Sequence, residues 1–220
     1  MTDDAELPRW GGVTEPMTVA TDVVLAGLAL LFAARLGQRA AVDDSAAGAW
    51  LAAALLATGF AALIGAIAHA MDPVGAASLR ERLWRSTLYA SGFIGAATLV
   101  SVAYFAARGG LRSTILAGAF LKLLAFMRRA SRTPEFHVAA VDYGIALAIL
   151  FIGAVVELVR RRAPGMTWLI AGVLVSVVGG IVQARRIAPH RQFNHNDLYH
   201  VIQMAALYAF YRGGALLADH

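Results

Sequence analysis

The sequence predicts an all-α fold, a polytopic membrane protein built as a seven-transmembrane-helix bundle. Three observations carry this. Of the 220 residues, 59% are hydrophobic and 15% charged, with mean hydropathy +0.64, against roughly 25% charge in an average soluble domain. Seven apolar runs approach the length of about 20 residues that a helix needs to cross about 30 Å of hydrocarbon. None alternates strictly between apolar and polar residues as barrel strands do, and a helix satisfies its own backbone groups in lipid.

In chain order the runs are 17–36, 48–71, 85–107, 111–127, 137–158, 165–184 and 198–217. They divide the chain into a polar tail over 1–16, a single transmembrane domain over 17–217 and a short tail over 218–220. The stretch before the first run is acidic and polar rather than basic and then apolar, so no cleavable signal peptide is expected and helix one directs its own insertion. Trp50, Trp84 and Trp168 mark the starts of helices two, three and six, since amphipathic indoles favour the headgroup zone. Helix four is the shortest and contains Lys122, the single lysine of the chain. Helix five ends at the Arg160–Arg162 cluster. Helix seven follows a polar string that caps it. Gly59 with Gly65, Ser91 with Gly95, and Gly172 with Ser176 and Gly180 stand at spacings that suit close helix packing.

The formal charge is +5 and the pI near 10.1, but the basic residues sit in short clusters between apolar runs. That distribution belongs to a membrane protein, and nucleic acid is not an expected partner. The protein is expected in an inner (plasma) membrane, and loops on the N-terminal side carry eleven Arg or Lys against eight on the other, which favours a cytoplasmic N-terminus, with the Arg160–Arg162 cluster on the opposite side counting against it. An abundance of Ala and of Arg over Lys reads as a bacterial source. With no cysteine in the chain, disulfides, thiolate metal sites and cysteine nucleophiles are excluded.

Ionisable groups inside a membrane are costly and mark candidate sites. Asp22 lies in helix one, His69 late in helix two, Asp142 early in helix five, and His195 and His200 at the start of helix seven. Starts of odd helices and ends of even ones share one side of the bilayer, so all five fall in one leaflet, with Glu15 just outside. Glu157 is on the other side, where it neutralises an arginine. A structural explanation of the cluster pairs its acids with Arg80, Arg82 or Arg85. His137 and His190 read as interfacial.

The densest pattern is Phe193-Asn194-His195-Asn196-Asp197-Leu198-Tyr199-His200-Val201-Ile202-Gln203. Asn and Asp ahead of an apolar run are capping residues. With the helix starting near Asn196 or Asp197, His200 and Gln203 share an inward face with Asn196, and His195 turns inward from a non-helical start. On a continuous helix the two rings would stand about 140° apart. Three imidazoles and a water form a catalytic zinc arrangement, giving His69, His195 and His200 as metal ligands. Asp22 or Asp142 would take the proton of the water. Without a metal, the same groups could relay protons in a transporter.

This arrangement resembles the CREST superfamily, which includes the alkaline ceramidases, the progestin and adipoQ receptors and the hemolysin III-like proteins. There a zinc is held by a histidine of helix two and an HxxxH pair of helix seven, with a Ser and an Asp nearby. The resemblance spans nearly the whole chain and extends to the acidic motif from Glu15 to Asp22 at helix one. It implies His69 and His200 as zinc ligands and hydrolysis of a membrane lipid amide or ester. This chain differs in having Asn196 four positions before His200, Gly65 four before His69 where the superfamily has Ser, and Asp72 as the stand-in for the Asp near helix three. The sequence therefore reads as a divergent member whose alternatives are a proton- or cation-coupled transporter and a non-catalytic receptor or accessory protein.

Overall fold

The computed structural model describes residues 9–10, 12–71, 75–190 and 192–219. Asp72, His220 and most of the N-terminal tail lie outside the described residues. Among those described, the chain forms seven helices: α1 Pro16–Val42, α2 Ala46–Ala70, α3 Ala77–Ala106, α4 Gly109–Arg132, α5 Phe136–Arg161, α6 Gly165–Arg185 and α7 His195–Gly214. Ahead of them, Arg9–Trp10 (β1) and Val13–Thr14 (β2) form an antiparallel pair. The first six helices are long and apolar enough to cross a bilayer. α7 runs for 20 residues, but Asn196, Asp197, His200, Gln203 and Arg212 dilute its apolar character.

Most helices outrun the apolar stretches that signal them. α1 continues to Val42, α4 to Arg132, and α3 begins at Ala77, because intrahelical hydrogen bonds persist wherever the backbone allows them, in lipid or not. α7 starts at His195, earlier than its apolar pattern, because Asn194 caps it. The Asn194 side chain accepts from Asn196 N at 2.7 Å, and Asp197 Oδ2 accepts from Asn194 N at 2.7 Å, closing a capping box.

The core runs between α1, α2 and α7 and on to α5 and α6, through Leu25, Ala29, Leu36, Leu55, Leu150 and Phe210. Small residues let the helices approach. Gly59 sits against Leu30 of α1, and Gly172 against the Phe210 ring of α7. Gly180, expected to pack, meets nothing within 4 Å; its neighbour Gly179 takes that place, beside Gln203. α4 is peripheral, with Ala119, Phe126 and Ala130 as its buried residues. The C-terminal tail is not loose. Asp219 accepts from Ser45 Oγ at 3.1 Å, Ala46 N at 2.8 Å and Ala47 N at 2.9 Å, closing the N-terminus of α2.

Candidate functional site

Three helix ends meet on one side of the bundle. Pro16 opens α1, for which its fixed φ is suited, and Glu15 precedes it in the left-handed region at φ 51°. Thr18, Thr21 and Asp22 follow on the buried face of α1. The last turns of α2 bring Gly65 and His69, and the first turns of α7 bring Asp197 and His200.

These side chains form two acid–histidine pairs. His69 Nδ1 lies 2.6 Å from Glu15 Oε2. His200 is held on both sides of its ring, with Nδ1 3.0 Å from Thr21 Oγ1 and Nε2 3.3 Å from Asp22 Oδ1. Burial works to raise the Glu15 carboxyl. The hydrogen bond and charge of His69, with the charges of Arg80 and His195, outweigh it and hold Glu15 below the usual carboxylate range. Asp22 differs: its Oδ2 is buried with no hydrogen-bond partner. A Cβ on Gly65 would come within 3.5 Å of that oxygen, so the glycine leaves room beside it.

Proton accounting sharpens the point. Thr21 has one hydroxyl proton and three acceptors in reach, Thr18 O at 3.1 Å, His200 Nδ1 at 3.0 Å and Asp197 Oδ1 at 3.5 Å. If that proton satisfies Thr18, the Thr21 oxygen accepts from Nδ1–H and the lone pair of His200 Nε2 faces Asp22. Two acceptors then confront each other, and a proton or a metal cation between them would resolve the clash.

Imidazole and carboxylate are zinc donors, and at bonds of about 2.0 Å neighbouring ligands of a tetrahedral site lie about 3.3 Å apart. The His200–Asp22 separation of 3.3 Å and the orphaned oxygen fit such an ion. Among the described residues, however, no three His, Asp or Glu side chains stand together as a ligand set. His69, with Nδ1 held by Glu15, keeps Nε2 as the nitrogen available to a further ligand, the usual second-partner arrangement of a metal-binding histidine.

The other expected members have partners of their own. His195 is the first residue of α7, so the non-helical start that would have turned it inward is absent. Five residues of continuous helix separate it from His200, and its charged neighbours are Arg186, Asp197 and Glu15. Asp142 pairs with Lys122 at 2.6 Å, against Gly95 of α3, and not with the cluster. Asn196 accepts from Gln183 Nε2 at 2.8 Å, while Gln203 accepts from Ser176 at 3.4 Å. Asp197 is a capping residue that also faces Thr21. Of the three candidate arginines, Arg80 donates to Ala68 O and Arg85 pairs with Glu81. His137 faces Glu135, and Glu157 pairs with Arg161 as expected. Thr18 and Thr21 were missed from the sequence, although with Asp22 they recur at the i, i+3, i+4 spacing of one helix face.

Residues 17–219 match the model of a family of unknown function (DUF6962). Neither the curated proteins nor the solved structures give a match.

Proposed function

We propose, for a chain that belongs to the family of unknown function DUF6962, that it is a seven-span enzyme of a bacterial inner membrane, distantly related to the CREST proteins, hydrolysing a lipid amide or ester at the α1–α2–α7 cluster. The observation that carries the reading is Asp22, a buried carboxylate with one oxygen on His200 and the other unclaimed. An uncompensated acid inside a membrane bundle is costly and is expected where it takes up a proton or a cation.

His200 and Asp22, 3.3 Å apart, are the residues that would hold a divalent metal such as zinc, with His69 joining them only if its ring moved toward that pair; such a metal when bound would supply polarisation of a water and of the scissile carbonyl. The protein's own part is to position. Thr21 fixes the His200 ring, Glu15 fixes His69, and the free oxygen of Asp22 is the proton acceptor. In the reaction, water oxygen bonds to the carbonyl carbon and the C–N or C–O bond breaks. The proton taken by Asp22 passes to the departing amine or alcohol.

Enzyme is favoured over transporter by where the acids and histidines stop. One to two turns inward from the cluster lie Leu25, Ala29, Ala62 and Leu207 with the uncharged Gln203–Ser176 pair, so the acid–histidine groups serve one membrane face. The test is metal content by mass spectrometry of protein purified in mild detergent, paired with release of fatty acid from labelled lipid amides and esters. Wild type should hold about one metal per chain and turn over, and His69→Ala and His200→Ala should lose both. A metal-free wild type that still hydrolyses would remove the metal; no hydrolysis in any metal-loaded sample would remove the enzyme.

A further inference from the structure

The outer face of α4 changes character along its length. Its inner face carries Ala119, Lys122, Phe126 and Ala130, with Phe126 against Gly92 and Lys122 against Gly95 of α3. Roughly opposite, Leu121 and Leu124 are 64% and 50% exposed, and Arg128 and Arg132 continue the same stripe, both exposed. Spacings of 3, 4 and 4 residues keep all four on one side of the helix. At 1.5 Å per residue, Arg128 stands about 6 Å beyond Leu124.

Lipid explains the leucines, since α4 is apolar and long enough to cross a bilayer. The arginines need more. Other helix-end arginines are met by the protein in different ways: Arg39 pairs with Asp43 and Arg161 with Glu157, and Arg212 lies over the Trp168 ring. Near the end of α4 the acids are already engaged, Glu81 with Arg85 and Glu135 with His137, and among the described residues neither Arg128 nor Arg132 has a carboxylate partner. The corner is also built firmly. Arg85 donates to Ser131 O at 2.9 Å, and the Trp84 indole to Pro134 O at 2.9 Å. This places an interfacial indole at the same helix corner. A helix C-terminus favours a cation, but that effect does not call for two guanidiniums in line with an apolar stripe.

We propose that this face of α4 binds an anionic phospholipid, with acyl chains along Leu121 and Leu124 and the phosphate between Arg128 and Arg132. Guanidinium pairs with phosphate oxygens through two parallel hydrogen bonds, which lysine cannot reproduce, and basic clusters at the end of a membrane helix attract anionic lipid. The site is separate from the acid–histidine cluster and does not rest on hydrolysis.

The experiment is native mass spectrometry of the full-length chain from nanodiscs of equal phosphatidylglycerol and phosphatidylcholine. Wild type should retain phosphatidylglycerol several-fold over phosphatidylcholine. The double variant Arg128→Gln/Arg132→Gln should lose that preference, Arg128→Lys/Arg132→Lys should keep only part of it, and Arg160→Gln/Arg162→Gln, at the other end of the bundle, should keep it all. Each variant is first checked for wild-type helicity by circular dichroism; if the glutamine pair unfolds, the lysine pair carries the test. Equal retention of the two lipids by wild type, or a preference unchanged in the folded α4 variants, overturns the proposal.

Discussion

Asp22 and Asp142 are two aspartates in the first turns of odd-numbered helices, both deeply buried, at 4% and 8% exposure. By position they are equivalent, and a membrane makes both costly. Their partners separate them. Asp142 meets Lys122 at 2.6 Å where Gly95 makes space, so its charge is cancelled and α4 is tied to α5. Asp22 meets an imidazole on one oxygen and nothing on the other. Burial alone marks an acid as expensive; its partners decide whether that expense is structural or chemical.

The sharpest way to break this comparison is to neutralise each acid in turn. Asp22→Asn keeps the shape and removes the proposed proton acceptor, so the proposed hydrolysis should fall on the order of 10²–10⁴-fold. Thermal stability in detergent should hold or rise, because an uncompensated buried charge is removed. A variant with full turnover would end the assignment of Asp22 as the base. The pair should behave in the opposite manner. Lys122→Met strands Asp142 and should cost about 3–5 kcal/mol, whereas Lys122→Met/Asp142→Leu should recover most of that, as read by Tm and by the proposed turnover of the remaining folded protein. If Lys122→Met instead abolished hydrolysis without lowering Tm, the roles of the two acids would be exchanged.

How far this was legible depends on the kind of information. Apolar run lengths reveal helices, and the alternating direction of crossings brings Asp22, His69 and His200 to one side without any coordinates. Helix ends are less visible, because the hydrogen-bonded spiral continues past the lipid boundary, as in α1 to Val42. The place of His195 turned on a single capping residue: with Asn194 as cap, His195 is the first residue of α7, on continuous helix with His200. Lys122 and Asp142 sit on different helices, and an apolar run does not tell how one helix is rotated against another. Thr21 was hidden for another reason. A threonine in a helix ordinarily bonds back to its own backbone, as Thr21 also does to Thr18, so its spacing from Asp22 gives it a face but no role until the ring of His200 is placed beside it.

A smaller contrast tests the Lys122–Asp142 side of the bundle through packing alone. Gly92 lies under the Phe126 ring of α4, so Gly92→Ala should overpack that contact at a cost of about 1–3 kcal/mol. Gly180 has nothing within 4 Å, and Gly180→Ala should stabilise α6 by about 0.5–1 kcal/mol through the backbone. Paired denaturation curves decide it: equal effects of the two substitutions would mean that α4 is not packed on α3 through this glycine.

Asp219 gives the smallest effect and refines the rule. It has no cationic partner in its capping contacts, like Asp22, yet its oxygens accept from the Ser45 hydroxyl and the amides of Ala46 and Ala47, at the positive end of the α2 dipole. The relevant question is therefore not whether an acid has a cation beside it but whether its lone pairs are taken. Asp219→Ala frees those amides and should cost about 1 kcal/mol, the usual worth of a helix cap, with turnover unchanged. Asp219→Asn should lose little, because asparagine caps about as well as aspartate. The same Asp-to-Asn change thus gives near silence at one end of the α1–α2–α7 core and loss of hydrolysis at the other. Measuring both variants in one preparation, by Tm and by turnover, separates an acid that completes the fold from one that the fold leaves incomplete.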